Sequence, residues 1–265
     1  MIENLINNSK KLLISRLGAN EAKATLYPDF PFILKKLTKK IIFNRMYEVA
    51  GFYPTNEITI KKFSNIYKKA IKNIDILVSW RIEERFISEI KSNIKKVSLQ
   101  EIEPYLNKDP WTRVLKNKKV LVIHPLDKTI STQYLKRTKI FKDKNILPKF
   151  DLITFKALQS FSGGNNQFNS WFEGLEFMKK KISKIDFDIA LIGCGAYGLP
   201  LASYIKDLGK ISVHMGGCLQ ILFGIKGRRW DENKKISSLY NKYWVRPSLK
   251  DRHKNYLKVE NGCYW

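Results

Sequence analysis

Short apolar runs recur along the chain at 12–15, 74–78, 120–123, 152–155, 189–192 and 211–213, and each is followed by polar or glycine residues. Their length suits strands, and Val120-Leu121-Val122-Ile123, apolar throughout, is what a parallel sheet covered on both faces requires. Helical spacing fills the intervals: 2–11, 30–49, 58–71, a segment from Trp80 to Ile90, 99–106, 129–141, 168–182, 199–208 and a short piece at 219–223. Six strands alternating with helices predict one doubly wound α/β domain, Rossmann-like, with a mostly parallel sheet flanked by helices. It spans 1–265 as a single unit, and the tail 231–265, without a clear period, is expected to pack on it. The helix at 30–49 carries Ile33, Leu34, Leu37, Ile41 and Met46 on one side and Lys35, Lys36, Lys39, Lys40 and Arg45 on much of the rest. That apolar side is expected to pack on the core, with a membrane surface as the alternative.

Ligands of such sheets sit at the carboxyl ends of the strands. The rule gathers five exits onto one edge: 16–21, 124–128, 159–164, 193–198 and 214–217. The densest lies in 186–230, where strand, Gly193-Cys194-Gly195-Ala196-Tyr197-Gly198, helix and a second strand ending at His214-Met215-Gly216-Gly217 make a βαβ unit. Its glycine spacing lets a backbone approach a phosphate at a helix N-terminus. A nicotinamide enzyme would need an acidic residue at the end of the next strand to hold a ribose hydroxyl. His214, Gly216 and Gly217 stand there instead, so the turn suits another nucleotide diphosphate better, with a tight structural turn as the plain reading.

Around that turn, each candidate has a bland reading beside its chemical one. Arg16 and Glu21 share one strand exit with Gly18. Arg16 suits bidentate contact with phosphate and Glu21 suits a hard cation such as Mg²⁺ or Mn²⁺, while an Arg–Glu ion pair bracing the loop is the alternative. His124 and Asp127 are candidate general bases, although Asp127 also suits a helix cap. His214 is a candidate ligand contact or a core histidine. Lys226, Arg228 and Arg229 suit a phosphate clamp or a solvated basic loop.

Charge and cysteine usage narrow the setting. A net charge of +25 invites nucleic acid, but the lysines run from Lys10 to Lys258 without one block and no recognition motif accompanies them. Nucleic acid is therefore disfavoured, and an acidic ligand or a phospholipid surface fits as well. Three cysteines, Cys194, Cys218 and Cys263, have neither pairing nor metal-ligand spacing, which indicates a reducing compartment and excludes zinc. No apolar run approaches the roughly 18 residues of a membrane span. A cytoplasmic protein is expected.

With Arg16-Leu17-Gly18-Ala19-Asn20-Glu21 and the late glycine unit together, the chain resembles the GT-D fold glycosyltransferases. It is closest to a subgroup encoded among polysaccharide or O-antigen genes, through His124-Pro125, 192–198, Phe223-Gly224-Ile225-Lys226-Gly227 and the terminal Gly262-Cys263-Tyr264-Trp265. The likeness spans most of the chain and is strongest from about Lys118 onward. It implies transfer of a sugar from a nucleotide-sugar donor to a glycan or lipid-linked acceptor in surface polysaccharide synthesis, at or near the inner face of the membrane. Donor contacts are then expected from Arg16, Gly18, Gly193, Gly195, Tyr197, Gly198, His214, Gly216, Gly217, Lys226, Arg228 and Arg229. Glu21, Asp127 and His124 are the candidates for catalysis, and Glu21 for Mn²⁺ or Mg²⁺. One departure stands out: the family's first acidic position falls on Ala19, leaving Glu21 alone of the pair. An NAD(P)-dependent oxidoreductase and a non-catalytic binder of anionic polymers are the other two readings.

Overall fold

In the computed structural model, which describes residues 1–163 and 167–265, seven parallel strands form one sheet in the order β3-β2-β1-β7-β6-β4-β5. The strands are β1 (Leu12–Arg16), β2 (Ile76–Ser79), β3 (Lys95–Ser98), β4 (Lys119–His124), β5 (Asp151–Lys156), β6 (Ile189–Ile192) and β7 (Ile211–His214). The helices that matter below are α1 (Ile2–Asn7), α2 (Ala19–Leu26), α3 (Phe32–Arg45), α4 (Glu57–Lys72), α5 (Leu99–Ile102), α6 (Asp127–Tyr134), α7 (Arg137–Ile140), α8 (Trp171–Ile182) and α9 (Gly198–Asp207). The fold is therefore the Rossmann-like α/β arrangement that the alternation of strands and helices predicts.

Residues pointing to one side of the sheet, such as Leu13, Leu77, Leu121 and Ile192, pack under α2, α4, α8 and α9. The alternate positions, among them Ile14, Val78, Val122, Leu191 and Val213, pack on the opposite side. This two-face burial is why the central strands read as unbroken apolar runs. The edge strand β3 has only Val97 buried, between exposed Lys95, Lys96 and Ser98, so no apolar run announces it.

Several boundaries differ from the sequence pattern. The exit after β1 is itself helical from Ala19, with Gly18 as the N-cap of α2. The segment after Trp80 forms only a 3₁₀ turn, Ile82–Phe86, and the helix expected over 129–141 is broken into α6 and α7. The larger correction concerns α3. Of the five apolar residues expected to pack on the core, only Met46 is buried, because the helix docks through Ile42, Phe43 and Met46 instead. Ile33, Leu34, Leu37 and Ile41 face outward.

The tail is tied down without a strand of its own. Ile225 and Val245 form an isolated parallel bridge, and the buried amide of Gln220 donates to the carbonyls of Ile225, Lys226 and Tyr264 at 3.2–3.4 Å. Asp251 accepts from the Thr129 amide and hydroxyl at 2.7 and 2.6 Å, so a tail residue caps the start of α6.

Candidate functional site

The strands are all parallel, so their carboxyl ends lie at one edge, and a cleft of about 740 Å³ opens there beside β1 and β7. Arg16, at the end of β1, projects into it. Its guanidinium lies 4.4 Å from the centre of the Trp80 ring. Trp80 is fixed in turn: its indole donates to the Leu17 carbonyl at 2.8 Å, and its amide donates to the buried carboxylate of Glu84 at 3.1 Å. Among the described residues no carboxylate lies within ion-pair distance of Arg16, so the brace to Glu21 does not form. A stacked guanidinium with its donor edge free is suited to a planar or tetrahedral anion.

Glu21 lies in the first turn of α2 and folds back over Gly18, where any added Cβ would collide with its carboxylate. Burial pushes its carboxyl up, against the opposing pull of its own backbone amide and of the Arg16 charge. Ala19, the first residue of α2, adds no donor beside it. Among the described residues no three His, Cys, Asp or Glu side chains come together, so the donor set does not fit a divalent cation held by the protein alone.

A second carboxylate, Glu103, lines the same cleft and was invisible in the sequence. It stands between α5 and the 3₁₀ turn Pro104–Leu106, where the spacing predicts one helix over 99–106 with Glu103 as an ordinary polar position of it. Burial pushes it up to about 7, against the opposing influence of the Arg16 charge and a Cys218 hydrogen bond. A carboxyl that ionises near neutrality is matched to proton abstraction from a hydroxyl.

The glycine turn lies at the floor of this edge. Gly195, at φ 55°, is its exposed member and lines both the cleft and a smaller cavity of about 100 Å³. Tyr67 of α4 anchors the turn, its hydroxyl donating to the Ala196 carbonyl at 2.7 Å, and Tyr197 stacks on Trp171 with centroids 5.2 Å apart. Gly198 starts α9 directly beneath the His214 imidazole, so the third glycine makes room for a protein side chain rather than for a ligand. His214 itself is buried, with Nδ1 3.0 Å from the Ser15 hydroxyl, and burial together with the Arg16 charge pushes it down to about 3. It forms a neutral floor to the cleft, beside Gly216 and Gly217.

His124 lines the smaller cavity with Gly193 and Tyr197. Its Nδ1 accepts the Leu126 amide at 3.0 Å, and burial lowers it to about 3. The neutral ring then carries its proton on Nε2, which makes it a donor at neutral pH. Asp127 borders neither cavity. It is the first residue of α6, with Leu126 as N-cap, and so does not cap the helix. Its Oδ1 is buried without a partner among the described residues, and burial and nearby Asp251 raise its carboxyl, opposed by Lys156 and backbone hydrogen bonds.

The cationic cluster separates. Lys226 rests over the Tyr240 ring, and Arg228 donates to the Asn261 carbonyl. Arg229 alone lines the cleft, held by Glu260 at 2.5 Å and by the Tyr264 hydroxyl at 3.1 Å. Glu260 also lies 3.8 Å from Arg45 at the end of α3, so the tail closes the outer side of the cleft. Of the expected exit 159–164, Gln159 and Ser160 line the smaller cavity, whereas Gly164 lies outside the described residues. The three cysteines are buried and unpaired. Comparison with family models, curated proteins and solved structures finds no match to this chain.

Proposed function

We propose that the chain is a glycosyltransferase of the GT-D type that moves a sugar from a nucleoside-diphosphate donor to a hydroxyl of a glycan or lipid-linked acceptor. The observation that carries this reading is the meeting, in one cleft, of an Arg16 guanidinium that forms no ion pair among the described residues and a Glu103 carboxyl raised to about 7. The first suits a departing diphosphate and the second suits the proton of an attacking hydroxyl. In the step, the acceptor oxygen bonds to the anomeric carbon and the bond from that carbon to the diphosphate oxygen breaks. The electron pair leaves with the diphosphate beside Arg16, and the acceptor proton passes to Glu103. The sequence likeness around Arg16-Leu17-Gly18 and the glycine turn supports the same chemistry. Glu21, buried beside Arg16, shapes the anion end of the cleft in this reading.

Nucleotide binding tests it. Thermal-shift titration with UDP, GDP and other nucleoside diphosphates, with and without Mn²⁺, is expected to raise the melting temperature of the native chain and not that of Arg16→Ala. A chain that no nucleoside diphosphate stabilises under either condition does not have this function.

A further inference from the structure

We infer that the outward face of α3 docks on the surface of an anionic phospholipid bilayer. Phe32, Ile33, Leu37 and Ile41 are 80, 73, 70 and 66 % exposed, an apolar load that an ordinary surface helix does not carry. Ile33, Leu37 and Ile41 repeat at four-residue intervals and so lie along one side of the helix. Ile58, at the start of α4, is 81 % exposed, and its neighbour Glu57 pairs with Lys39 of α3 at 2.8 Å, which places it beside this face.

Charge selects the occupant. From Phe30 to Tyr47 the chain holds Lys35, Lys36, Lys39, Lys40 and Arg45 and no acidic residue, and with Lys39 paired to Glu57 and Arg45 to Glu260, it is Lys35, Lys36 and Lys40 that face a partner. A polyanion such as nucleic acid would use the cations but would leave the apolar stripe in water. A second copy would bury the stripe but would bring its own equal set of cations against it, in a chain already at +25. An anionic bilayer satisfies both, since apolar side chains enter the headgroup–acyl boundary while lysines stay at the phosphates. Each lysine near such a surface strengthens the attraction, and salt weakens it. Among the described residues no helix is long and apolar enough to cross a membrane, so α3 would lie on the surface. Ile41, Ile42 and Arg45 also line the cleft, so docking would bring the cleft mouth to the bilayer. If the transferase reading holds, this assigns the acceptor to the lipid-linked class.

Flotation with phosphatidylcholine vesicles, with and without about a third phosphatidylglycerol, tests the docking directly. The native chain is expected to float with the anionic vesicles only and to be released by high salt. Ile33→Ser/Leu37→Ser should lower the partition coefficient by roughly tenfold or more, and Lys36→Glu/Lys40→Glu should do so comparably. Neither pair lines the cleft, so thermal shifts with nucleotide serve as the control for fold and site. Absence of flotation overturns the proposal, as does flotation that Ile33→Ser/Leu37→Ser leaves intact. Duplex-DNA binding indifferent to that pair, without flotation, would move the face to polyanions. A native dimer that the same pair converts to monomer, again without flotation, would make a second copy the occupant. Because the vesicle assay uses no nucleotide and the nucleotide assay no vesicle, docking and transfer can fail separately.

Discussion

One wall of the cleft is the end of the sheet; the other joins the end of α3 to the chain around Arg229 and Glu260. On the sheet side, Arg16 and His214 end adjacent strands whose register is fixed by pairing from Leu12 to Ser15, and Gly195 follows a third strand. Behind them lie buried contacts: the Ser15–His214 hydrogen bond, Gly198 against the imidazole, and Tyr67 on the Ala196 carbonyl. On the outer side, Glu260, Arg229 and Arg45 hold one another through half-exposed ion pairs. Glu260 and Asn261 take positive φ, at 46° and 55°. Position is set by packing on one side and by screened charge on the other. The first kind of wall suits an anion that must be held in one place, and the second suits an acceptor that must enter and leave.

The largest expected effect tests whether chemistry lies off the sheet wall altogether. Glu103→Gln keeps shape and removes the proposed base, so on the transferase reading turnover should fall by roughly 10²- to 10⁴-fold while nucleotide affinity stays near native. The native rate should rise with pH through about 7, and the variant should lose that limb. Stability follows the opposite sign. The folded value near 7 lies above the ordinary carboxyl range, so Glu103 favours the fold at low pH and loses that contribution as pH rises towards 7. Glu103→Gln should flatten this window in a series of melting curves. An unchanged pH–rate profile would remove Glu103 from the chemistry.

Gly198→Val probes the packing of the sheet wall. The new side chain meets the His214 ring, which is buried and already bonded to Ser15, so neither can yield easily. Overpacking of this kind costs about 3 kcal/mol, and nucleotide binding should weaken with it because the floor of the cleft shifts. Denaturant midpoints and nucleotide titration should move together. Arg16→Ala is expected to separate them: about 2 kcal/mol of binding lost with a charge-assisted contact, and a nearly unchanged denaturant midpoint. The guanidinium's described partner is the face of Trp80, and that stack is worth less than the lost anion contact.

Acid should expose the same wall. Both His124 and His214 are held near 3 by burial, well below an unfolded histidine. Their neutral forms therefore stabilise the fold above about pH 6.5, and that contribution is lost as pH falls towards 3. His214→Gln should reduce the slope of melting temperature against pH over that range. An unaltered slope would mean that His214 takes up its proton without strain on the fold.

The same difference decides what the sequence made readable. Arg16, Gly195 and His214 follow apolar runs buried on both faces, and a strand buried on both faces cannot hide its polarity pattern. The wall of strand exits is thus legible in the polarity pattern alone. Glu103 and Glu260 are not, because what gives each its place in the cleft lies far off in sequence: the Arg16 charge and Cys218 near the first, Arg229 paired with the second; Tyr264 enters the sequence reading only through the family likeness. The basic run Lys226, Arg228 and Arg229 reads as one clamp in sequence but points three ways in space. Helix α3 failed differently. Its apolar residues were correctly seen, but periodicity identifies a face without saying what covers it, and the core took Ile42 and Phe43 instead.

The smallest expected effect asks whether the outer wall is as loose as its contacts suggest. Glu260→Gln removes the charge shared by Arg229 and Arg45. Exposed pairs of this kind contribute less than about 1 kcal/mol, so the global melting temperature should barely move. What should change is local. The tail's grip on the cleft also runs through the Arg229 amide, which donates to the Cys263 carbonyl at 2.9 Å, and the Arg228 amide, which donates to that of Trp265 at 3.1 Å. Hydrogen exchange at 259–265 should therefore quicken in the variant while β1 and β7 stay protected. Two cations freed at the rim should leave nucleotide binding equal or slightly tighter at low salt, since both lie where an anion enters. A large loss of global stability in Glu260→Gln would show instead that tail and sheet unfold as one unit. The cleft would then have two rigid walls, and acceptor entry would need a different opening.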